Sequence, residues 1–233
     1  MIRRIVMMIG LVMCLFSCGH VVKPFHYINS GGYTPIPVKT INIWIDKDFG
    51  EGDQIAIDDA IKQWNYALNG YVKLEVVSTK FDMEPEIIRT VLNGGGWLLL
   101  KIQEPNSMID DGPVENGVPK SYTLAWANAI GGNRIYFIRN RLKNEWMVGV
   151  ALHEMGHLLG AQHDDVYLMA PHYNWEDYRC VDYEALKRVA EYQHIPMSKL
   201  NYCVYGEAAS DSSEKVVMDP ITWSQEVAQE KTR

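Results

Sequence analysis

Residues 152–164 constrain this chain more than any other stretch: Leu152-His153-Glu154-Met155-Gly156-His157-Leu158-Leu159-Gly160-Ala161-Gln162-His163-Asp164. His153 and His157 stand four apart, so a helix stacks them on one face, one turn apart. Glu154 follows the first histidine and projects beside that pair. Gly160 is free to take positive φ, where the helix stops and the chain turns. His163 then swings back as a third nitrogen. Three imidazoles on one ion leave a tetrahedral zinc one open position, the layout of a catalytic rather than a structural site. A bare H-E-x-x-H pair occurs by chance on ordinary buried helices. Here the competing explanation must converge three histidines and a glutamate beside Val148, Val150, Leu152, Leu158 and Leu159, and uncompensated burial of that kind is costly.

The full pattern H-E-x-x-H-x-x-G-x-x-H, with Leu168-Met169-Ala170-Pro171-His172-Tyr173 after it, resembles the metzincin zinc peptidases and their Met-turn. The resemblance implies an α+β fold: a metzincin-type catalytic domain with a twisted mixed β-sheet, packed helices, an active-site helix and a Met-turn. It implies His153, His157 and His163 as ligands of one catalytic zinc, Glu154 as general base, and Met169 beneath the metal. Met-x-Pro-x-Tyr resembles the matrixin branch, in which Pro171 and Tyr173 would wall a substrate pocket. Leu124-Ala125-Trp126-Ala127 resembles the matrixin edge strand, so Leu124 and Ala125 are expected to pair with a peptide or protein substrate. Trp126 stands where matrixins carry a histidine for a structural zinc, so no second zinc is expected. Asp164 matches an aspartate of the adamalysin branch that would hydrogen-bond the loop around Met169; the alternative is a solvent-exposed carboxylate. Tyr173 could instead donate to an oxyanion, as a tyrosine does in astacins. His172 reads as a pocket-rim or surface histidine. The His163–Met169 spacing is shorter than in typical matrixins. A protein of this kind is expected to be a zinc endopeptidase. The alternative is a non-catalytic surface binding lipoprotein on the same scaffold.

Arg3 and Arg4 followed by the apolar run from Ile5 to Phe16 read as a signal peptide over residues 1–17, the run being too short to span a bilayer comfortably. Leu15-Phe16-Ser17-Cys18 resembles a bacterial lipobox, which would make Cys18 the lipidated N-terminus and hold the protein to a membrane. Ordinary cleavage near Gly19 would release it instead. Gly19 after Cys18, by resemblance to Gram-negative lipoproteins, permits transport to the outer membrane. Either route leads out of the cytoplasm. There, Cys180 and Cys203 form a disulfide or stand as two buried thiols. A formal net charge of −7 argues against a nucleic-acid partner, which calls for a basic face.

The rest of the chain orders itself around this core. Residues 18–38, rich in Gly, Pro, Tyr and Ser, read as a tether too short for a folded prodomain. The catalytic domain is expected over 39–205. Ile41, Ile43 and Ile45 alternate as a strand; Ile57, Ala60, Ile61, Trp64, Ala67 and Leu68 form a helical stripe stopped at Asn69-Gly70. Strands follow around Val72–Val76, Trp97–Ile102 and Arg134–Ile138. Residues 104–121 read as a long loop, whose Asp110 and Asp111 could hold calcium but fit solvated turns better. The active-site helix is expected from Asn144 or Glu145, and a last helix over Asp182–Gln193. Residues 206–233 turn polar and read as a weakly ordered tail.

Overall fold

The computed structural model describes residues 25–30, 37, 39–81, 84–103, 114–115, 118–119, 122–164, 167–172 and 180–205. The expected signal peptide, Cys18, Asp110, Asp111, Tyr173 and the expected tail lie outside the described residues.

The sequence periodicities become a twisted five-stranded mixed sheet with helices on both faces. Strands β1 (Phe25–Ile28), β2 (Lys39–Asp46), β3 (Val72–Phe81) and β4 (Trp97–Ile102) are interrupted by helices α1 (Glu51–Ala67) and α2 (Pro85–Asn93). A two-residue hairpin, β5 (Val114–Glu115) and β6 (Val118–Pro119), leads to β7 (Ala125–Ala127) and β8 (Arg134–Ile138). Helices α3 (Met147–Leu159) and α4 (Tyr183–Gln193) and strand β9 (Tyr202–Tyr205) complete the described chain. The sheet order is β3-β2-β4-β8-β7; the first four strands run parallel, and β7 closes one edge antiparallel to β8.

Alternation sorts side chains between two layers. Ile41, Ile43, Ile45, Trp97, Leu99, Ile135 and Phe137 face α1 and α3 in the main core. Trp44, Leu98 and Leu100 point the other way, onto Ile88, Val91 and Leu92 of α2. Both faces of the sheet are covered, as the parallel strands require. Helix α1 is locked to α3 inside the core by the Trp64 indole N–H, which donates to the Leu152 carbonyl at 3.0 Å. That bond satisfies the one polar atom of a fully buried tryptophan and fixes where α3 lies.

The structure departs from the sequence reading in several places, among them the β5–β6 hairpin inside the expected loop 104–121 and the unassigned strand β9. Helix α2 fills a stretch to which no element was assigned; Pro85 opens it, where a missing N–H costs nothing. The segment expected to be a tether contains β1, which pairs antiparallel with β9 from the far end of the domain. The cause is burial: Tyr27 is 1% exposed, its ring meeting Tyr66 edge-on at 4.8 Å and its hydroxyl donating to Gln63 at 3.1 Å. Beyond β1, the Ser30 N–H donates to the Asn201 side chain, and Asn201 in turn donates to the Tyr66 carbonyl. Cys180 and Cys203 form a disulfide packed against Tyr27, with Cα atoms 6.1 Å apart. Closing a loop of 23 residues by that bond contributes about 3 kcal/mol through the unfolded chain. No helix among the described residues is long and apolar enough to cross a membrane.

Candidate metal centre

Helix α3 begins at Met147, after a 3-10 turn over Asn144–Trp146, close to the expected start. It ends where Gly160 takes φ 114°, a left-handed conformation that favours glycine. The Gly160 N–H donates to the His157 carbonyl and the Ala161 N–H to the Gly156 carbonyl, the reversal that closes a helix. The reversal carries His163 back toward the face that bears His153 and His157.

The result is a near-equilateral triangle. The Nε2 atoms of His157 and His153 are 3.1 Å apart, those of His157 and His163 3.1 Å, and those of His153 and His163 3.3 Å. Tetrahedral zinc with bonds of about 2.0–2.1 Å requires N···N edges of about 3.3–3.4 Å, so the three nitrogens fit one such ion with little adjustment. Among the described residues, these three histidines form the group able to hold a metal.

The other ring nitrogens are already committed. His153 Nδ1–H donates to the Leu168 carbonyl at 2.6 Å, and His157 Nδ1–H to the Ala161 carbonyl at 2.8 Å. A carbonyl only accepts, so each Nδ1 carries the proton and each Nε2 presents its lone pair to the shared point. Charge follows the same direction. Burial lowers the His153 pKa to about 3, helped by His157 and His163 and opposed by the Leu168 carbonyl. Burial also lowers His157, against the Ala161 carbonyl, and His163, against Asp164. All three rings are therefore neutral, the form that binds metal, at neutral pH.

A pH dependence follows from these directions. A histidine lowered in the folded state binds fewer protons there than in the unfolded chain, so stability rises with pH across that window. The contribution is complete above the ordinary histidine value of about 6.5 and declines as pH falls below it. Thermal melts of the metal-free protein should therefore show a falling melting temperature from pH 7 to pH 5. A melting temperature flat over that range would contradict the desolvation of His153 and His157.

Glu154 lies beside the triangle, 6% exposed. Burial raises its pKa to about 8, opposed by the Ala127 main-chain N–H, which donates to the carboxylate. Oε2 has no hydrogen-bond partner within the protein. That contact joins α3 to the edge strand. Leu124 accepts from Ile138 N–H and Asn128 donates to Arg134 C=O, so Leu124, Trp126 and Asn128 turn their main-chain groups to β8. Ala125 and Ala127 turn theirs away from β8, toward the cleft. The Trp126 ring stacks on Tyr136 of β8 at 4.6 Å.

A cleft of about 950 Å³ runs over the triangle, walled by Leu124, Ala125 and Trp126 on one side and Leu168, Ala170 and Pro171 on the other. His172 stands on its exposed rim and lies outside the metal-ligating group. Leu124, Ala125 and Pro171 thus sit beside His153, His157, His163 and Glu154.

Met169 is fully buried below α3. A Cβ on Gly156 would meet its sulfur at 2.7 Å, so the glycine between the first two histidines is the space into which Met169 packs. The Asp164 N–H donates to the Met169 carbonyl, whereas the Asp164 carboxylate lies 3.4 Å from Arg188 Nε on α4. The link from Asp164 to the Met-turn thus includes a main-chain bond. Asp182, read from the sequence only as a helix start, has a second role. Its Oδ1 caps α4 by accepting from Glu184 and Ala185 N–H, and its Oδ2 accepts from Leu168 N–H at 3.0 Å. Leu168 C=O is the acceptor for His153. A buried carboxylate therefore orients a metal-side ring through a single peptide unit. Burial raises the Asp182 pKa, opposed by these three N–H donors.

No family model and no curated protein matches the sequence. Among solved structures, metalloproteinase-II from Bacteroides fragilis is similar at 17% identity with a TM-score of 0.45, over 75% of this chain and 59% of that one. This chain thus spans under two thirds of that structure. Archaemetzincin from Methanopyrus kandleri is similar at 14% identity with a TM-score of 0.43, over 68% of this chain and 96% of that one.

Proposed function

We propose that this chain is a zinc-dependent endopeptidase of metzincin type, with His153, His157 and His163 holding the ion and Glu154 acting as general base. The observation that carries the reading is the Nε2 triangle of 3.1–3.3 Å edges with a buried carboxylate beside it and an edge strand along the same cleft. Zinc, when bound, supplies Lewis acidity toward a carbonyl oxygen and acidifies a water molecule. The protein supplies the rest. Ala125 and the Ala127 carbonyl offer main-chain groups to an extended peptide, as in strand addition. Kept ionised by the positive charge a bound ion would place beside it, Glu154 would take a proton from the attacking water and hand it to the leaving nitrogen as the peptide C–N bond breaks. The Ala127 N–H holds the carboxylate in place for both transfers. Among the described residues, the cleft lining carries no charged side chain apart from Glu154 and the histidines, which favours uncharged residues flanking the cut.

The localisation belongs to the same proposal. The n-region, apolar run and Leu15-Phe16-Ser17-Cys18 support export with a lipid on Cys18. Mass spectrometry of the N-terminal peptide from a bacterial expression host should show the lipid increment on Cys18; an unmodified terminus downstream would indicate free secretion.

The enzymatic proposal is tested by digesting a broad peptide library with and without a chelator, reading cleavage by mass spectrometry. Cleavage that stops on chelation and returns with zinc is expected. Absence of chelator-sensitive cleavage across the library would leave a binding protein on this frame.

A further inference from the structure

We propose that Tyr192 is a positioning residue for this metal centre: its ring ties the turn that carries His163 to the hairpin that carries the edge strand. The proposal rests on the zinc reading above and goes beyond it in assigning a role to a residue outside the cleft.

Tyr192 lies on the last turn of α4 and is 50% exposed, which by itself describes an ordinary surface side chain. Its neighbours are not ordinary. A Cβ on Gly160 would fall 2.1 Å from Tyr192 Cγ and 2.3 Å from Cδ1, so the base of the ring lies directly on the Gly160 main chain. A Cβ on Gly131 would fall 1.9 Å from the Tyr192 hydroxyl oxygen and 2.6 Å from Cζ. One ring thus spans two glycines from separate segments, Gly160 with φ 114° and Gly131 with φ 66°. Any side chain at either position would displace it.

Each glycine belongs to a part of the site. Gly160 is the pivot from which the chain returns to His163. Gly131 lies in the turn between β7 and β8, and its N–H donates to the His157 carbonyl at 2.8 Å. That carbonyl, one of the last of α3, also accepts from the Gly160 N–H at 3.0 Å, so the hairpin and the Gly160 turn meet on one acceptor. The adjacent Gln193 side chain donates to the Leu159 carbonyl at 2.8 Å, so the end of α4 satisfies the end of α3 at a second point. The same hairpin places Ala129 and Ile130 on the cleft wall and Ala127 N–H on Glu154. Movement of the Tyr192 ring would free the His163 turn and the edge strand together.

The test compares wild type, Tyr192→Phe and Tyr192→Ala. Zinc affinity is measured by competition with a chromophoric chelator, KM and kcat on a peptide the wild type cleaves, and amide exchange at Gly131 on the folded protein. Tyr192→Ala is expected to bind zinc at least about tenfold more weakly, the range for groups that orient metal ligands. It should also raise KM and exchange the Gly131 amide faster. Tyr192→Phe keeps the ring and should stay within about twofold of wild type on every measure. Tyr192→Leu replaces the alanine variant if that protein does not fold, with the same expectation. A variant that melts lower but keeps wild-type zinc affinity and KM would show a structural role only and overturn the proposal. So would a phenylalanine variant as impaired as the alanine one. Wild-type protein that binds no zinc would refute the underlying reading, a result distinct from the other two, and the inference would fall with it.

Discussion

Replacing Glu154 with alanine should leave zinc bound at wild-type stoichiometry and lower peptide hydrolysis by about 10²–10⁴, the range a positioned acid-base group contributes. The carboxylate is no part of the imidazole triangle, so its removal deletes a proton acceptor and leaves the donor set intact. The loss should fall on kcat more than on KM, because Glu154 acts on the proton in flight rather than on the resting peptide. One further consequence separates the roles. Ala127 N–H would lose its acceptor, so a modest rise in KM is expected from a loosened edge strand. Metal analysis alongside steady-state kinetics checks both parts. Undiminished cleavage by the alanine variant would remove Glu154 from the mechanism.

Asp182→Ala is expected to cost about 2–4 kcal/mol of stability and to weaken zinc binding about 10–100-fold. The first effect has two sources: loss of the α4 cap, about 1 kcal/mol, and a buried Leu168 N–H left without an acceptor, about 1–3 kcal/mol. The second arises because Leu168 C=O, on the far side of that peptide unit, orients His153. Asp182→Asn keeps one acceptor oxygen, enough for either Leu168 N–H or the α4 cap but not both, and should lose less in total than alanine. Chemical denaturation and zinc competition read the two effects separately. Loss of stability with unchanged zinc affinity would show that the peptide unit holds its place without the carboxylate.

The parts of the fold that could be read from sequence are those in which a local pattern reports its own surroundings. Ile41, Ile43 and Ile45 alternate because β2 has a distinct inner face, and Ile57, Ala60, Ile61 and Trp64 recur because α1 has one stripe to bury. The three histidines and Gly160 declare helix, turn and return by spacing alone. What escaped depends on a distant partner. Phe25-His26-Tyr27-Ile28 carries little strand signal, and its register comes from Tyr202–Tyr205, at the other end of the domain. Asp182 is legible as a helix start, yet its bond to Leu168 N–H involves a main-chain amide, which leaves no mark on residue type. Gly156 and Gly131 look like any glycines until Met169 and Tyr192 are seen occupying the room they leave. Tyr173 and the two candidate calcium aspartates lie outside the described residues, so the pocket wall expected of Tyr173 is untouched by the geometry.

The pairing of β1 with β9 also sets the length of any leash. On the proposal that Cys18 carries a lipid, six residues, 19–24, separate the anchor from Phe25, the first residue of β1. Fully stretched, that link reaches about 20–25 Å. An enzyme moored so closely could not sweep the surrounding fluid. Its prey would be chains presented at the surface itself, and the mouth of the cleft would have to face along or away from the bilayer to receive them.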